Sequence, residues 1–286
     1  MIKYSIKNLR KSINCECSKK FFSEKLFYKK PPKCEIDFGL SKEYKRSYFY
    51  CSSCNHWFSD LKKIKLGDLY SGNFNQSIYK NKLFNNFIKI INLPKKKSDN
   101  FQRAARINEF CKNYFKEDIK NINMLDIGSG TGVFPYVMKK LGYRCSSIDP
   151  DLSSVNHIRK NIKIKTFHGD FLNINSKIGK YDLITFNKVL EHVVKPDLLL
   201  KHALKFLKNR NSIVYIELPD GEQAMLTKEG KNKQEFTIDH LHVFSIQSAE
   251  KILKKSNYIS IQSFRYVEPS GKVTFCIFSK PIDKIN

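Results

Sequence analysis

Four groups of residues in this chain have the types and spacing to do chemistry. The first is Asp126-Ile127-Gly128-Ser129-Gly130-Thr131-Gly132, which ends an apolar run and precedes a helix-forming segment. A strand closed by glycines before a helix is a nucleotide-binding turn, because the backbone can fold tightly and approach a ligand where a Cβ would collide. The spacing is G-x-G-x-G rather than the G-x-G-x-x-G of dinucleotide sites. An acid stands two residues before the first glycine, where a pyrophosphate would be repelled and a ligand with a cationic centre and an ammonium group is favoured. The second group is Ile148-Asp149-Pro150-Asp151, whose Asp149 follows Asp126 by 23 residues, the spacing at which one carboxylate accepts both hydroxyls of a ribose. The third is a set of histidines: His192 beside Glu191, and His240 and His242 in Asp239-His240-Leu241-His242-Val243-Phe244-Ser245. An imidazole with an unperturbed pKa of about 6.5 can take a proton at neutral pH.

Cysteines make the fourth group. Cys15-Glu16-Cys17 and Cys51-Ser52-Ser53-Cys54 are pairs about 34 residues apart, with Cys34 between them and His56 just after. Two such knuckles brought together hold a tetrahedral zinc at about 2.3 Å from each thiolate. Cys15, Cys17, Cys51 and Cys54 are the expected ligands, with Cys34 or His56 able to replace one of the first pair. The competing reading is four buried, unliganded thiols. Four protein ligands leave no open position, so the zinc is expected to be structural. In so short a segment it would supply folding energy on the order of 10 kcal/mol.

The elements that must position these groups follow from pattern. Apolar strands are expected to end at Ile127, Asp149 and Asp170 and to cover Tyr181-Asn187 and Ser212-Pro219. Helices are expected over Thr131-Gly142, Asp151-Lys160, Pro196-Lys208 and Gln247-Lys255, with Gly142 as a C-terminal stop. Ser260-Val267 and Lys272-Lys280 read as the last strands, joined by the Pro269-Ser270-Gly271 turn. Alternating strands and helices ending in a hairpin imply a mostly parallel sheet with one antiparallel strand near its edge, and a ligand across the C-terminal strand ends. Ser98-Asp99-Asn100 reads as the N-cap region of a helix to about Phe115 that carries Arg103 and Arg106 one turn apart. Gly67 to Lys97 is expected to be a helical linker in which Phe84, Phe87, Ile88 and Ile91 recur at helical spacing and should be buried. Tyr70 and Tyr79, flanking Phe74, are candidates for a lid. The resulting division is 1–66 for the cysteine module, 67–120 for the linker and 121–286 for the ligand-binding domain.

Composition narrows the class. The chain has 286 residues and eight cysteines. No run of about 18 apolar residues occurs, and Met1-Ile2-Lys3-Tyr4-Ser5 does not open a signal-peptide core. A cytoplasmic protein without membrane insertion is expected, its cysteines thiols or metal ligands rather than a disulfide framework. The formal charge of +25 comes from 52 Lys+Arg against 27 Asp+Glu. Lysine dominates, together with asparagine and isoleucine, as AT-rich coding produces, whereas specific phosphate forks prefer arginine. The charge therefore points to anionic small substrates ahead of nucleic acid, and Pro94-Lys95-Lys96-Lys97 reads as a solvated turn.

Asp126-Ile127-Gly128-Ser129-Gly130-Thr131-Gly132 resembles motif I of the class I methyltransferases that use S-adenosylmethionine (SAM), and the later strands carry the rest of that pattern in order. The resemblance implies a Rossmann-like α/β fold with a mostly parallel seven-stranded sheet, helices on both faces, and a small zinc-ribbon-like N-terminal module. It implies that Asp126, Gly128, Ser129, Gly130, Gly132 and Asn187 meet the methionine end of SAM. Asp149 and Pro150 would then meet the ribose, and Asp170 and Phe171 the adenine. Asn187-Lys188-Val189-Leu190-Glu191-His192 lacks the Pro-Pro-aromatic sequence of methylases that act on base or glutamine nitrogens. With Glu217-Leu218-Pro219-Asp220 and the His240 segment, it looks like small-molecule methyltransferases of quinols and sugars. Together with the cysteine module, the chain is similar to zinc-containing C-methyltransferases of nucleotide-linked deoxysugars and related surface-polysaccharide enzymes. In that group a histidine after the fifth strand is the base, and His240 is the matching position. His242 and His192 are its rivals, and Glu191 is expected to orient backbone amides or the acceptor. The sugar enzymes carry a further C-terminal domain without a counterpart in this sequence, which leaves C- versus O-methylation open. The other classes compatible with these residues are an RNA or protein methyltransferase and a non-catalytic partner subunit of the same fold.

Overall fold

The computed structural model describes residues 4–15, 17–35, 44–61, 83–116 and 118–282. The strands are β1 (Phe22–Tyr28), β2 (Arg46–Cys51), β3 (His56–Asp60), β4 (Asn123–Ile127), β5 (Arg144–Asp149), β6 (Lys165–His168), β7 (Leu183–Asn187), β8 (Ile213–Pro219), β9 (His242–Val243), β10 (Tyr258–Val267) and β11 (Val273–Pro281). The helices are α1 (Ile6–Ser12), α2 (Leu83–Ile91), α3 (Asp99–Phe115), α4 (Val133–Lys140), α5 (Leu152–His157), α6 (Pro196–Ala203), α7 (Gly221–Leu226) and α8 (Ile246–Lys255).

Seven strands form one sheet in the order β10-β11-β8-β7-β4-β5-β6. Only β11 runs against its neighbours, as the expected terminal hairpin requires. The central strands β4, β7 and β8 read NMLDI, LITFN and IVYIELP, nearly continuous apolar runs of the kind needed when helices cover both faces. Alternate residues point to opposite faces. Leu125, Ile127, Ile184, Phe186, Val214 and Ile216 enter one core with Leu200 of α6 and Ile252 of α8. Met124, Leu183, Ile213 and Tyr215 enter the other with Ile107 of α3 and Val137 of α4. No helix of the described residues is long and apolar enough to cross a membrane, and all eight cysteines are unpaired.

A second, antiparallel sheet has the order β1-β2-β3-β9. Its last strand comes from the segment after β8: Phe58 faces His242 and Trp57 faces Val243. The N-terminal residues Leu9, Tyr48 and Phe58 share a core with Leu241, Val243 and Phe244.

Two expectations change here. On α2, Phe87 is buried against Tyr136 and His157, but Phe84 is 50 % and Ile88 36 % exposed. Among the described residues α2 packs against α4 and α5, which cover Phe87 more fully than Phe84 or Ile88. Ser98 does stand at the N-cap of α3, but its hydroxyl makes no cap bond. Tyr70, Phe74 and Tyr79 lie outside the described residues.

Candidate active site

The turn after β4 is built on left-handed glycines. Gly128 has φ +71° and donates its N–H to Ile148 O at 2.9 Å. A Cβ there would stand 2.8 Å from Val189 Cγ2, so a side chain is excluded both by conformation and by space. Gly130 donates its N–H to Asp149 Oδ2 at 2.8 Å, and Asp151 donates its own to Asp149 Oδ1 at 2.8 Å. Gly132, also expected at the cofactor, is fixed by local packing. It caps α4 at φ +71°, and a Cβ on it would come 2.5 Å from Ile162 Cδ1; it serves close packing of turn against helix.

A cleft of about 1360 Å³ lies across the C-terminal strand ends, and Asp126, Gly128, Ser129, Gly130, Asp149, Pro150, Asp170, Phe171 and Asn187 all line it. Asp126 is expected with Gly128 and Gly130 at the methionine end of the ligand, and β7 supplies its partners in the structure. Its Oδ1 accepts from Thr185 Oγ1 at 2.7 Å and Asn187 Nδ2 at 2.8 Å, because β7 lies beside β4 and brings those donors alongside. Asn187 Oδ1 is buried with no hydrogen-bond partner, so it is an acceptor waiting for a donor. Burial pushes the Asp126 and Asp149 carboxyls up to about 6. Asp170 caps the turn after β6 by accepting from Leu172 N–H at 3.0 Å. Phe171 is buried against Phe186 and Phe206.

The other end of the cleft collects acids and imidazoles. Glu191, His192 and His240 offer side-chain atoms within 4.8 Å of one another. Glu191 is 1 % exposed and neither carboxylate oxygen has a hydrogen-bond partner. The turn after β7 aims it into the cleft, where His192 Nε2 lies 4.0 Å from its Oε1. Burial pushes its pKa up to about 7. His192 Nδ1 lies 3.0 Å from Asp239 O, and His240 Nδ1 lies 2.9 Å from Glu235 O. Burial lowers His240 to about 4, so its ring is neutral at pH 7. Glu235 is also buried, lines the cleft, and has two unpartnered carboxylate oxygens. His242 does not reach this site. Its Nδ1 is 3.0 Å from His56 Nε2 and its Nε2 3.4 Å from Val194 O, because pairing of β9 with β3 turns it into the core.

A buried ion network backs this end. Arg103 pairs with Glu217 and, at 3.4 Å, with Glu268; Arg106 reaches Glu217 at 3.2 Å; Lys188 reaches Glu268 at 2.6 Å. Burial opposes ionisation of Glu217, but Arg103 outweighs it and holds the carboxyl well below the usual range. Lys188, Lys272 and Arg103 line the cleft.

The four cysteines Cys15, Cys17, Cys51 and Cys54 bring their sulfurs within 4.8 Å of one another. Cys17 Sγ and Cys54 Sγ are 3.5 Å apart, near the roughly 3.8 Å edge of a tetrahedral thiolate site with bonds of about 2.3 Å. Lys251 Nζ lies 3.4 Å from Cys54 Sγ, and Arg10 holds Cys17 O at 2.6 Å, so two cations face a cluster that would carry net negative charge. Neither proposed substitute joins it. Cys34 Sγ donates to Asn232 O at 2.9 Å, and His56 turns to Ser248 Oγ and His242, each at 3.0 Å.

A family profile described as Methyltransferase domain matches residues 98–263, more than half of the 286 residues. The chain belongs to the methyltransferase-domain family. This methyltransferase is 31 % identical over 163 residues to the ubiquinone biosynthesis O-methyltransferase of Pelagibacter ubique (strain HTCC1062), covering 53 % of this chain and 58 % of that protein. It is 24 % identical over 202 residues to ribosomal RNA small subunit methyltransferase A of Mycoplasmopsis synoviae (strain 53), covering 68 % of this chain and 73 % of that one. The match thus spans less than two thirds of the first relative's length. Among solved structures, magnesium protoporphyrin IX methyltransferase from Synechocystis PCC 6803 with bound S-adenosylhomocysteine (SAH) aligns over 73 % of this chain and 99 % of that one. The TM-score is 0.57 at 11 % identity, and the shared property is the class I SAM-dependent methyltransferase fold.

Two buried acids near the cleft differ in how far the sequence announces them. Glu235 lies in a polar stretch where nothing marks it as buried. Glu217 did carry a signal, an acid inside the apolar run of β8, which demands a buried counter-charge; Arg103 and Arg106 supply it.

Proposed function

We propose that this methyltransferase transfers the methyl group of SAM to an oxygen or carbon of a small polyhydroxylated acceptor, a nucleotide-linked sugar or surface-glycan precursor. The observation that carries this reading is the pair Glu191 and Glu235, buried in the cleft wall, none of whose four carboxylate oxygens has a hydrogen-bond partner among the described residues. Such oxygens need hydrogen-bond donors, and sugar hydroxyls supply them without adding charge to a site already holding Lys188 and Lys272, which would meet a phosphate.

The donor-seeking groups at the opposite end fit SAM. Asp126 and Asn187 Oδ1 would take its ammonium, Asp149 its ribose hydroxyls, and Asp170 its adenine amino group, with Pro150 and Phe171 as apolar flanks. When bound, SAM supplies an electrophilic methyl carbon. The chain's own contribution is placement, since holding two reactants in line removes much of the barrier, and a proton acceptor for the nucleophile. Neutral His240 is that acceptor, and Glu191, with its pKa near neutrality, stands beside it as a second. Cys15, Cys17, Cys51 and Cys54 would hold a structural zinc, and the reduced thiols fit a cytoplasmic setting.

A screen with methyl-labelled SAM tests the reading. Label is expected in a nucleotide sugar, with Glu191→Gln lowering kcat at least tenfold while SAH affinity holds. Transfer to RNA but to no hydroxylated small molecule would overturn it.

A further inference from the structure

The loop that carries His240 is held by the far end of the sequence. Tyr48, fully buried on β2, places its hydroxyl 2.8 Å from the carbonyl oxygens of both Thr237 and His240. Two residues earlier, Arg46 donates to Phe236 O at 2.5 Å and pairs with Glu35 at 3.0 Å. Glu35 Oε2 in turn accepts the Ile238 N–H at 2.7 Å. On β3, Ser59 donates its N–H to Leu241 O at 2.9 Å, and Phe58 pairs with His242. Main-chain groups along residues 236–242 are therefore fixed by side chains and strands of the N-terminal sheet. The glycine turn at the cofactor end is held differently, by Ile148 and Asp149 of β5.

We propose that the N-terminal sheet is the positioning element of the acceptor loop and that Tyr48 is the positioning residue for His240, setting the acceptor end of the cleft independently of the cofactor end. The proposal rests on the reading of His240 as an acceptor-site group. Its physical content is specific. The Tyr48 hydroxyl bridges the two carbonyls that flank the turn closed by His240 N–H to Thr237 O at 3.1 Å. With that turn clamped, the imidazole is aimed by its Nδ1 contact to Glu235 O. Removing the hydroxyl takes a donor from both buried carbonyls and loosens the turn, which Arg46 and Glu35 then hold without it.

Tyr48→Phe in the metal-loaded full chain separates the possibilities without any acceptor. Histidine-selective 15N labelling reads the ring nitrogens of His240, amide exchange reads residues 234–241, and calorimetry reads SAH. The expected result is displaced His240 signals and loop exchange faster by about tenfold, one buried hydrogen bond's worth, with SAH affinity within about twofold of wild type. Unchanged His240 signals and loop exchange would overturn the proposal, and so would a parallel collapse of SAH affinity in a folded variant, which would deny independence of the two ends. Should Tyr48→Phe fail to fold, Glu35→Gln, which weakens the hold on Ile238, is read in the same way. If His240→Gln retains turnover while Tyr48→Phe still shifts the loop, the positioning stands and the assignment of the base falls.

Discussion

Gly130 donates its backbone N–H to Asp149 Oδ2 at 2.8 Å, tying the turn after the first strand of the large sheet to the acid that ends the second. With Asp151 N–H on the other oxygen, the carboxylate is oriented before any ligand arrives. It is also deeply buried, which lifts its pKa to about 6.

That burial gives cofactor binding a pH dependence. Asp149 and Asp126 both sit near 6, and on the proposed assignment the ionised forms are the ones that would accept from ribose and ammonium. Above pH 7 both are charged and affinity is flat. Below pH 6 a proton must leave each acid on binding, so SAH affinity should fall by up to about tenfold per pH unit per acid. Calorimetry from pH 8 to pH 5 checks this, and Asp149→Asn should flatten the slope. A pH-independent affinity in the wild type would contradict it.

Gly132→Ala should destabilise without touching cofactor affinity. The left-handed backbone costs about 1 kcal/mol for any Cβ, and the new methyl would press on Ile162 and Ile158 at 2.5 and 2.8 Å. A loss of about 1–3 kcal/mol corresponds to a fall in Tm of several degrees for a chain of this size. An unchanged Tm in a calorimetric scan would count against the packing role.

Arg103→Met should be more damaging than its surface-like residue type suggests. It takes the main counter-charge from the fully buried Glu217, to which Arg106 and the Tyr215 hydroxyl still reach, and breaking one side of a buried pair costs about 3–5 kcal/mol. Pairing it with Glu217→Leu should restore much of that loss in chemical denaturation. A double variant as unstable as the single one would show that the charge network is not the cause.

Much of this was legible because it depends on local pattern. The glycine turn, the acids at strand ends and the order of strands each follow from a few adjacent residues, and the sheet formed as those residues require. The failures share one cause, partners distant in sequence. His240 and His242 look equivalent along the chain, but pairing of β9 with β3 buries the second and leaves the first at the cleft. Gly132 belongs to a glycine motif whose other members line the cleft, yet Ile158 and Ile162 claim it. Cys34 and His56 were reasonable metal ligands until Asn232, Ser248 and His242 were seen to hold them. Phe84 and Ile88 carry helical apolar spacing, and spacing alone does not reveal how wide a face the neighbours cover.

Calorimetric titration of the metal-loaded chain with SAH, repeated on Asp149→Ala, tests the cofactor assignment on which everything else stands. Saturable one-to-one binding that weakens at least tenfold in the folded variant is the expected result, in keeping with lost hydrogen bonds to a charged group. Absence of binding by folded wild-type protein, or binding indifferent to Asp149, would contradict the assignment of this cleft to SAM.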